Sequence, residues 1–195
     1  MAGQFLKVSK SRAVAVSPPA SRVAAFERSH LEVRMFNVGD GEAVVVTFPG
    51  KRSWIIDAGS SKNARRNEKL GGGLASYFSD ETLILQGVVP SHPHIDHAGA
   101  FATVLKSRPR FGSKLWYCRS EDATWHKKDG WIPALDRTLR GLSVPVEQVV
   151  LADARRDVPT GNEARARLFA GSGEAAYTSI FVLFEFRRAR ILFTG

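Results

Sequence analysis

The residues best equipped for chemistry lie in one short run, His92-Pro93-His94-Ile95-Asp96-His97, directly preceded by Ser91. Three of the five histidines fall there, interleaved with a carboxylate in the order H-x-H-x-D-H. Imidazole nitrogen and carboxylate oxygen are the donors that borderline divalent ions prefer, so zinc is the expected ion, with manganese and iron as alternatives. In an extended segment His92 and His94 lie on one side and can share an ion. Asp96 and His97 follow where the chain bends into a helix, and can serve a second ion about 3.5–4 Å away. Two such ions bring the pKa of a bridging water towards neutrality, polarise the scissile bond and stabilise the leaving oxygen, which is hydrolysis without a protein nucleophile. The competing explanation is that the histidines only cap a helix, but capping does not call for three of them and an aspartate in one bend.

The rest of the chain must position that cluster. Its 195 residues suffice for one domain with a proper core. Hydrophobic content of 44% and charged content of 24% are globular in kind, and no apolar run approaches a membrane span. The single cysteine, Cys118, excludes an internal disulfide and suits a reducing compartment, so a cytoplasmic location is expected. Placed beside Trp116 and Tyr117, it reads as a buried small hydrophobe. The net charge of +9 favours an anionic partner, nucleic acid among them, although scattered arginines on a solvated surface would give the same total.

Residues 1–29 are rich in Ser, Ala, Lys and Arg, carry Pro18-Pro19 and a single acid, Glu27, and are expected to form a mobile basic leader. The domain is expected to span residues 30–195. Strands are read at Leu31–Val38, Ala43–Phe48 and Ser53–Ile56, separated by the Gly39-Asp40-Gly41 and Pro49-Gly50 turns. Ser60–Leu70 reads as a polar loop, and Gly71-Gly72-Gly73 as a break before a short helix at Leu74–Phe78. The apolar strand Leu83–Val89 delivers the chain to the histidines, and a helix runs on through Ala98–Leu105. Further strands are expected at Lys114–Cys118, Val144–Leu151, Ala164–Phe169, Ser179–Phe186 and Ala189–Thr194, with a helical period from Ile132. Strands, helix and strands again form a layered α+β pattern.

With these elements in place the sequence resembles the metallo-β-lactamase-fold hydrolases, whose hallmark is H-x-H-x-D-H after a strand. Within that superfamily it is similar to the branch that contains the hydrolase domain of the competence protein ComEC. Asn37-Val38-Gly39-Asp40-Gly41-Glu42-Ala43 resembles that branch's D-V-G-Q-G-D-A turn, and Asp57-Ala58-Gly59 its D-x-G strand end. Ser179 with its strand, then Ile191-Leu192-Phe193-Thr194-Gly195, resembles the stretch leading to T-G-D. The resemblance implies an αβ/βα sandwich with its second half incomplete, and two divalent ions at one edge of the sheets. It implies His92 and His94 on the first ion, Asp96 and His97 on the second, Asp96 also in a catalytic role, and Asp57 orienting the cluster from behind.

The family's next residue after T-G is an aspartate that bridges both ions, followed later by another histidine ligand, whereas the sequence stops at Gly195. His30 and His126 are poor replacements for that ligand. A domain truncated on its C-terminal side is therefore expected, with weakened metal retention and an apolar final strand, Ile191-Leu192-Phe193, open to association. Two functions follow. One is a metal-dependent hydrolase of phosphodiester or nucleic-acid-like substrates, with lactones, β-lactams and thioesters open to the same activated water. The other is a truncated or degenerate module that lacks activity or is completed by another chain.

Overall fold

A computed structural model describes residues 30–120, 131–151, 155–161, 164–170 and 179–194. The expected leader at 1–29 and His126 lie outside the described residues. Among the described residues ten strands form two sheets. The first comprises β1 (Glu32–Met35), β2 (Ala43–Phe48), β3 (Arg52–Ala58), β4 (Ile84–Val89), β5 (Phe111–Ser120) and β6 (Val146–Leu151), ordered as in the sequence. The β1–β2–β3 meander is antiparallel, whereas β3, β4, β5 and β6 run parallel. The second sheet is antiparallel, in the order β10 (Ala189–Phe193), β9 (Ile180–Phe186), β8 (Ala164–Ala170), β7 (Arg156–Gly161).

Parallel pairing requires crossovers, and helices supply them: α1 (Ala64–Tyr77), α2 (Ile95–Ala98), α3 (Phe101–Lys106) and α4 (Trp131–Arg140). The β-branched run of β2 is buried along its whole length, and so is β3 from Ser53 to Ala58. Strands covered on both faces read as such continuous apolar runs. On one side the cover is the second sheet, where Phe184 packs edge-on against Phe48 (centroids 5.4 Å apart) and Trp54 (5.8 Å). On the other it is the helical layer. Gly87, paired with Trp54 across β3 and β4, leaves room for the indole, since a Cβ there would stand 2.4 Å from the ring. The buried hydroxyls of Thr47 and Ser53 satisfy one another across the β2–β3 pair at 2.9 Å.

The layered α/β expectation holds, and the strand positions agree, with β7 an addition. The Ser60–Leu70 loop and the glycine break do not hold. One 14-residue helix, α1, runs through Gly71-Gly72-Gly73. Its start is fixed by Asn63, whose side chain accepts from the amides of Arg65 and Arg66. Gly71 serves packing rather than a break: a Cβ there would come within 2.6 Å of the Thr103 Cβ on α3. The single helix expected after the histidines is instead two short ones, α2 and α3, parted at Gly99-Ala100. There the Ala100 amide leaves the helical ladder and donates to the Ala58 carbonyl of β3 at 2.7 Å.

Gly72 is exposed within α1 and has open space where a Cβ would go. Gly72→Ala should therefore stabilise the protein by about 0.5–1 kcal/mol through the lower entropy of the unfolded chain. Gly59 is the opposite case, because a Cβ there would lie 2.0 Å from the Asp96 carbonyl carbon. Gly59→Ala should cost about 3 kcal/mol, the upper end for overpacking. Urea unfolding midpoints of the two variants would check both signs.

Candidate metal centre

Because β3 and β4 are parallel, with Ile56 opposite Val89, their C-terminal ends deliver Asp57 and Ser91 to the same place. Crevices beyond the carboxyl ends of parallel strands are where open α/β sheets build their sites. Asp57 is buried, at 1% exposure, and occupies the left-handed region at φ +55°, an uncommon backbone state for a side-chain-bearing residue. Its carboxylate accepts from the Ser91 amide at 2.6 Å, from the Ser91 hydroxyl at 2.7 Å and from His97 Nδ1 at 2.9 Å.

Those bonds settle the imidazole tautomers. A carboxylate only accepts, so His97 carries a proton on Nδ1 and, in its neutral form, turns the Nε2 lone pair towards Asp96 Oδ2 at 3.9 Å. The Ser91 hydroxyl proton is committed to Asp57. Its oxygen can therefore accept from His92 Nδ1 at 3.2 Å, which likewise frees His92 Nε2. Backbone bonds hold this loop from beneath. Glu42 N donates to the Asp96 carbonyl at 3.3 Å, Gly59 N to the Glu42 carbonyl at 2.9 Å, and Ile180 N of β9 to the Ser91 carbonyl at 2.7 Å. The Gly39–Glu42 turn, the end of β3 and the histidine loop thus lie backbone on backbone.

Ligating atoms of His92, Asp96 and His97 lie within 4.8 Å of one another. The His92 and His97 ring centroids are 3.6 Å apart, and His94 stands on the exposed side with its ring 4.8 Å from that of His92. Asp96 Oδ1 is buried and has no hydrogen-bond partner. An unpaired buried carboxylate oxygen is costly unless something electropositive meets it, so this donor set fits a divalent ion. A second group, Glu42, Asp57 and His97, meets the same distance criterion from behind. Glu42 and Ser91 are the participants that spacing did not reveal. Their only sequence signals are an acid inside a glycine turn and a hydroxyl between an apolar strand and the first histidine.

Burial, together with the neighbouring His97 and His94, pushes the His92 imidazole down to about 4, so it stays neutral and able to ligate. For His97, burial works the same way. The bond to Asp57 and the charges of Asp57, Asp96 and Glu42 outweigh it and raise the group above its ordinary value of 6.5. Glu42 is raised as well, by burial and then by the Asp57 charge. Cys118 is fully buried, which pushes its thiol up and leaves it a core residue.

The sign of the pH effect follows. His97 holds its proton above pH 6.5, so an incoming ion must displace it, whereas His92 is already bare. Below that point apparent metal affinity should fall about tenfold per pH unit, for about one proton displaced, as equilibrium dialysis at several pH values would show. Asp57→Asn keeps the side-chain shape and tolerates the left-handed backbone, but it turns one acceptor into a donor facing Ser91 or His97. Metal affinity should fall about 10–100-fold with the fold retained, measured by competition with a chromophoric chelator.

Comparison with known proteins bears on the same residues. No curated protein is a significant sequence match. Among solved structures, the chain is similar to the metallo-beta-lactamase fold protein YhfI from Bacillus subtilis, at 12% identity and a TM-score of 0.49, covering 79% of this chain and 54% of that one. It is also similar to human tRNase Z, short form, at 12% identity and a TM-score of 0.50, covering 84% of this chain and 68% of that one. The chain thus spans about half the length of the first of these. The sequence profile described as the Metallo-beta-lactamase superfamily matches residues 37–195, from the turn at Asn37 through the histidine loop to Gly195. The chain belongs to the metallo-β-lactamase superfamily.

Proposed function

We propose that this protein is a metal-dependent hydrolase of phosphodiester or nucleic-acid-like substrates. The observation that carries the reading is the Asp57–Ser91–His97 arrangement, which presents His92 and His97 Nε2 beside an unpaired Asp96 Oδ1. Structural histidines have no need of such preparation. His92 and His94 would hold one divalent ion, Asp96 and His97 a second, with zinc the best match to the donors. When bound, the ions would supply an acidified water and a Lewis acid for the substrate oxygen.

The chain's own part is positioning and proton handling. Asp57 fixes the direction of His97 and, through Ser91, of His92. Asp96, whose Oδ1 has no hydrogen-bond partner, would be the carboxylate to accept a proton from the attacking water. The net charge of +9 supports a substrate bearing phosphate, and the family similarity to the ComEC branch points the same way. A protein of this kind would work in the cytoplasm.

Metal analysis should find about two divalent ions per chain after loading, with turnover of an activated phosphodiester. His92→Ala combined with His94→Ala should remove that turnover by at least about 100-fold and lower metal content. Turnover that is unchanged in the double variant, or a protein that retains no metal at neutral pH, would refute the reading.

A further inference from the structure

Many exposed cations on this protein are balanced locally. Arg34, Lys114, Arg155 and Arg190 each sit on a carboxylate, as does the half-buried Arg167. Lys106 lies in the last turn of α3, and Arg137 and Arg140 in the last turn of α4, where the negative end of the helix dipole favours them. Other exposed cations, such as Arg52, Arg108 and Arg156, lack both kinds of balance, but Lys62, Arg65, Arg66 and Lys69 lack them together within one eight-residue run. All four are exposed, and among the described residues none has an ion pair.

Arg65, Arg66 and Lys69 lie on the first half of α1 and Lys62 stands just before its N-cap Asn63, so the four form one basic patch at the start of the helix. Like charges on successive turns of a helix repel, and the first turn of α1 holds no acid. The arrangement works against the stability of its own helix. The single acid in the stretch, Glu68, does not offset four cations.

The patch borders the metal loop. Asn67, buried beneath it, accepts from the Ser60 amide at 2.6 Å and donates to the Ser61 carbonyl at 2.7 Å. The same side chain lies against Gly99, where a Cβ would meet its Cγ at 2.7 Å, two residues beyond His97. Ser60 in turn follows Gly59, on which the Asp96–His97 backbone rests. The helix that carries the patch is thus tied by a buried amide to the segments that carry the candidate ligands.

We propose that Lys62, Arg65, Arg66 and Lys69 form a docking surface for the phosphodiester backbone of a nucleic-acid strand. It would guide the strand to the His92–Asp96–His97 centre, an inference that rests on the hydrolase reading for the strand's fate but not for its binding. A patch of closely spaced unpaired cations matches the repeating charge of such a strand, and neutralising it releases counterions. An anionic membrane surface would suit the charge as well. The exposed residues beside the patch, Asn63, Ala64, Gly72 and Gly73, offer no large apolar side chain to insert into lipid.

The test compares the full chain with its Lys62→Gln, Arg65→Gln, Arg66→Gln, Lys69→Gln variant, metal-free, by fluorescence anisotropy on single-stranded DNA and RNA of about 20 nucleotides. Affinity should fall at least about tenfold at low salt. The slope of log affinity against log salt should shrink by about 3, at about 0.7 per phosphate contact on a single strand. Melting temperature should be unchanged or higher, because the variant removes repulsion. Lys106→Gln, Arg137→Gln, Arg140→Gln, Arg188→Gln, which removes four charges elsewhere, serves as the control for net charge and should leave affinity near that of the parent. Equal losses in both variants, an unchanged affinity in the first, or a loss confined to anionic phosphatidylserine vesicles would each overturn the proposal. Turnover of a small activated phosphodiester by the loaded protein should be the same with and without the patch. Absence of that turnover in both forms, with the difference in oligonucleotide affinity intact, would remove the hydrolase reading and leave the surface standing.

Discussion

The buried Asp57 carboxylate is the contact on which the architecture of this protein converges. It ends β3, accepts the amide and hydroxyl of Ser91 at the end of β4, and receives the Nδ1 proton of His97 from the start of the helical layer. Two parallel strands and a helix therefore meet on one side chain. A carboxylate that accepts this many hydrogen bonds offsets its own desolvation, and the same bonds dictate which nitrogen of each imidazole is free. The left-handed backbone at Asp57 is part of the arrangement, since it sits at the point where three elements constrain the residue at once.

Around that contact the chain brings backbones together more closely than side chains allow. Gly41 and Gly59 face the Asp96 carbonyl with no room for a Cβ, and Glu42 N and Gly59 N tie the turn, the strand end and the loop into one sequence of hydrogen bonds. Short distances between main chains leave few ways for the loop to shift. The second sheet adds its own tether through Ile180 N to the Ser91 carbonyl. Packing of Phe184 on Phe48 and Trp54 thus bears on the site, because it fixes where β9 places that amide.

The strands are legible in the β-branched runs and the candidate ligands in the H-x-H-x-D-H run, while the orienting part given to Asp57 comes from the family resemblance. What misled was glycine. Gly71-Gly72-Gly73 reads locally as a break, yet α1 passes through it because Gly71 lets the helix approach Thr103 and because burial of Leu74 and Asn67 outweighs the propensity cost. Similarly, no periodicity marks the parting of α2 and α3. It is a tertiary event, the capture of the Ala100 amide by the Ala58 carbonyl. Glu42 was hidden because its role depends on a contact between residues 15 and 55 positions away, with Asp57 and His97. The sequence-based grouping of His92 with His94 captures one proximity, but the folded loop draws His92, Asp96 and His97 together more tightly.

The centre carries three carboxyl groups, on Glu42, Asp57 and Asp96, beside two inward-facing imidazoles, and this concentration of negative charge governs its behaviour without an ion. Protons must then do the balancing. One is held on His97 above its ordinary range, and Glu42 is raised towards its neutral form by burial and by Asp57. His92, pushed down to about 4 by burial and then by the neighbouring His97, cannot share that task. The metal-free site therefore lowers its negative charge chiefly at His97 and Glu42 rather than by spreading protons over both imidazoles. A cation that enters takes over the role of those protons, which is why preorganisation and proton competition are consequences of the same three carboxyl groups.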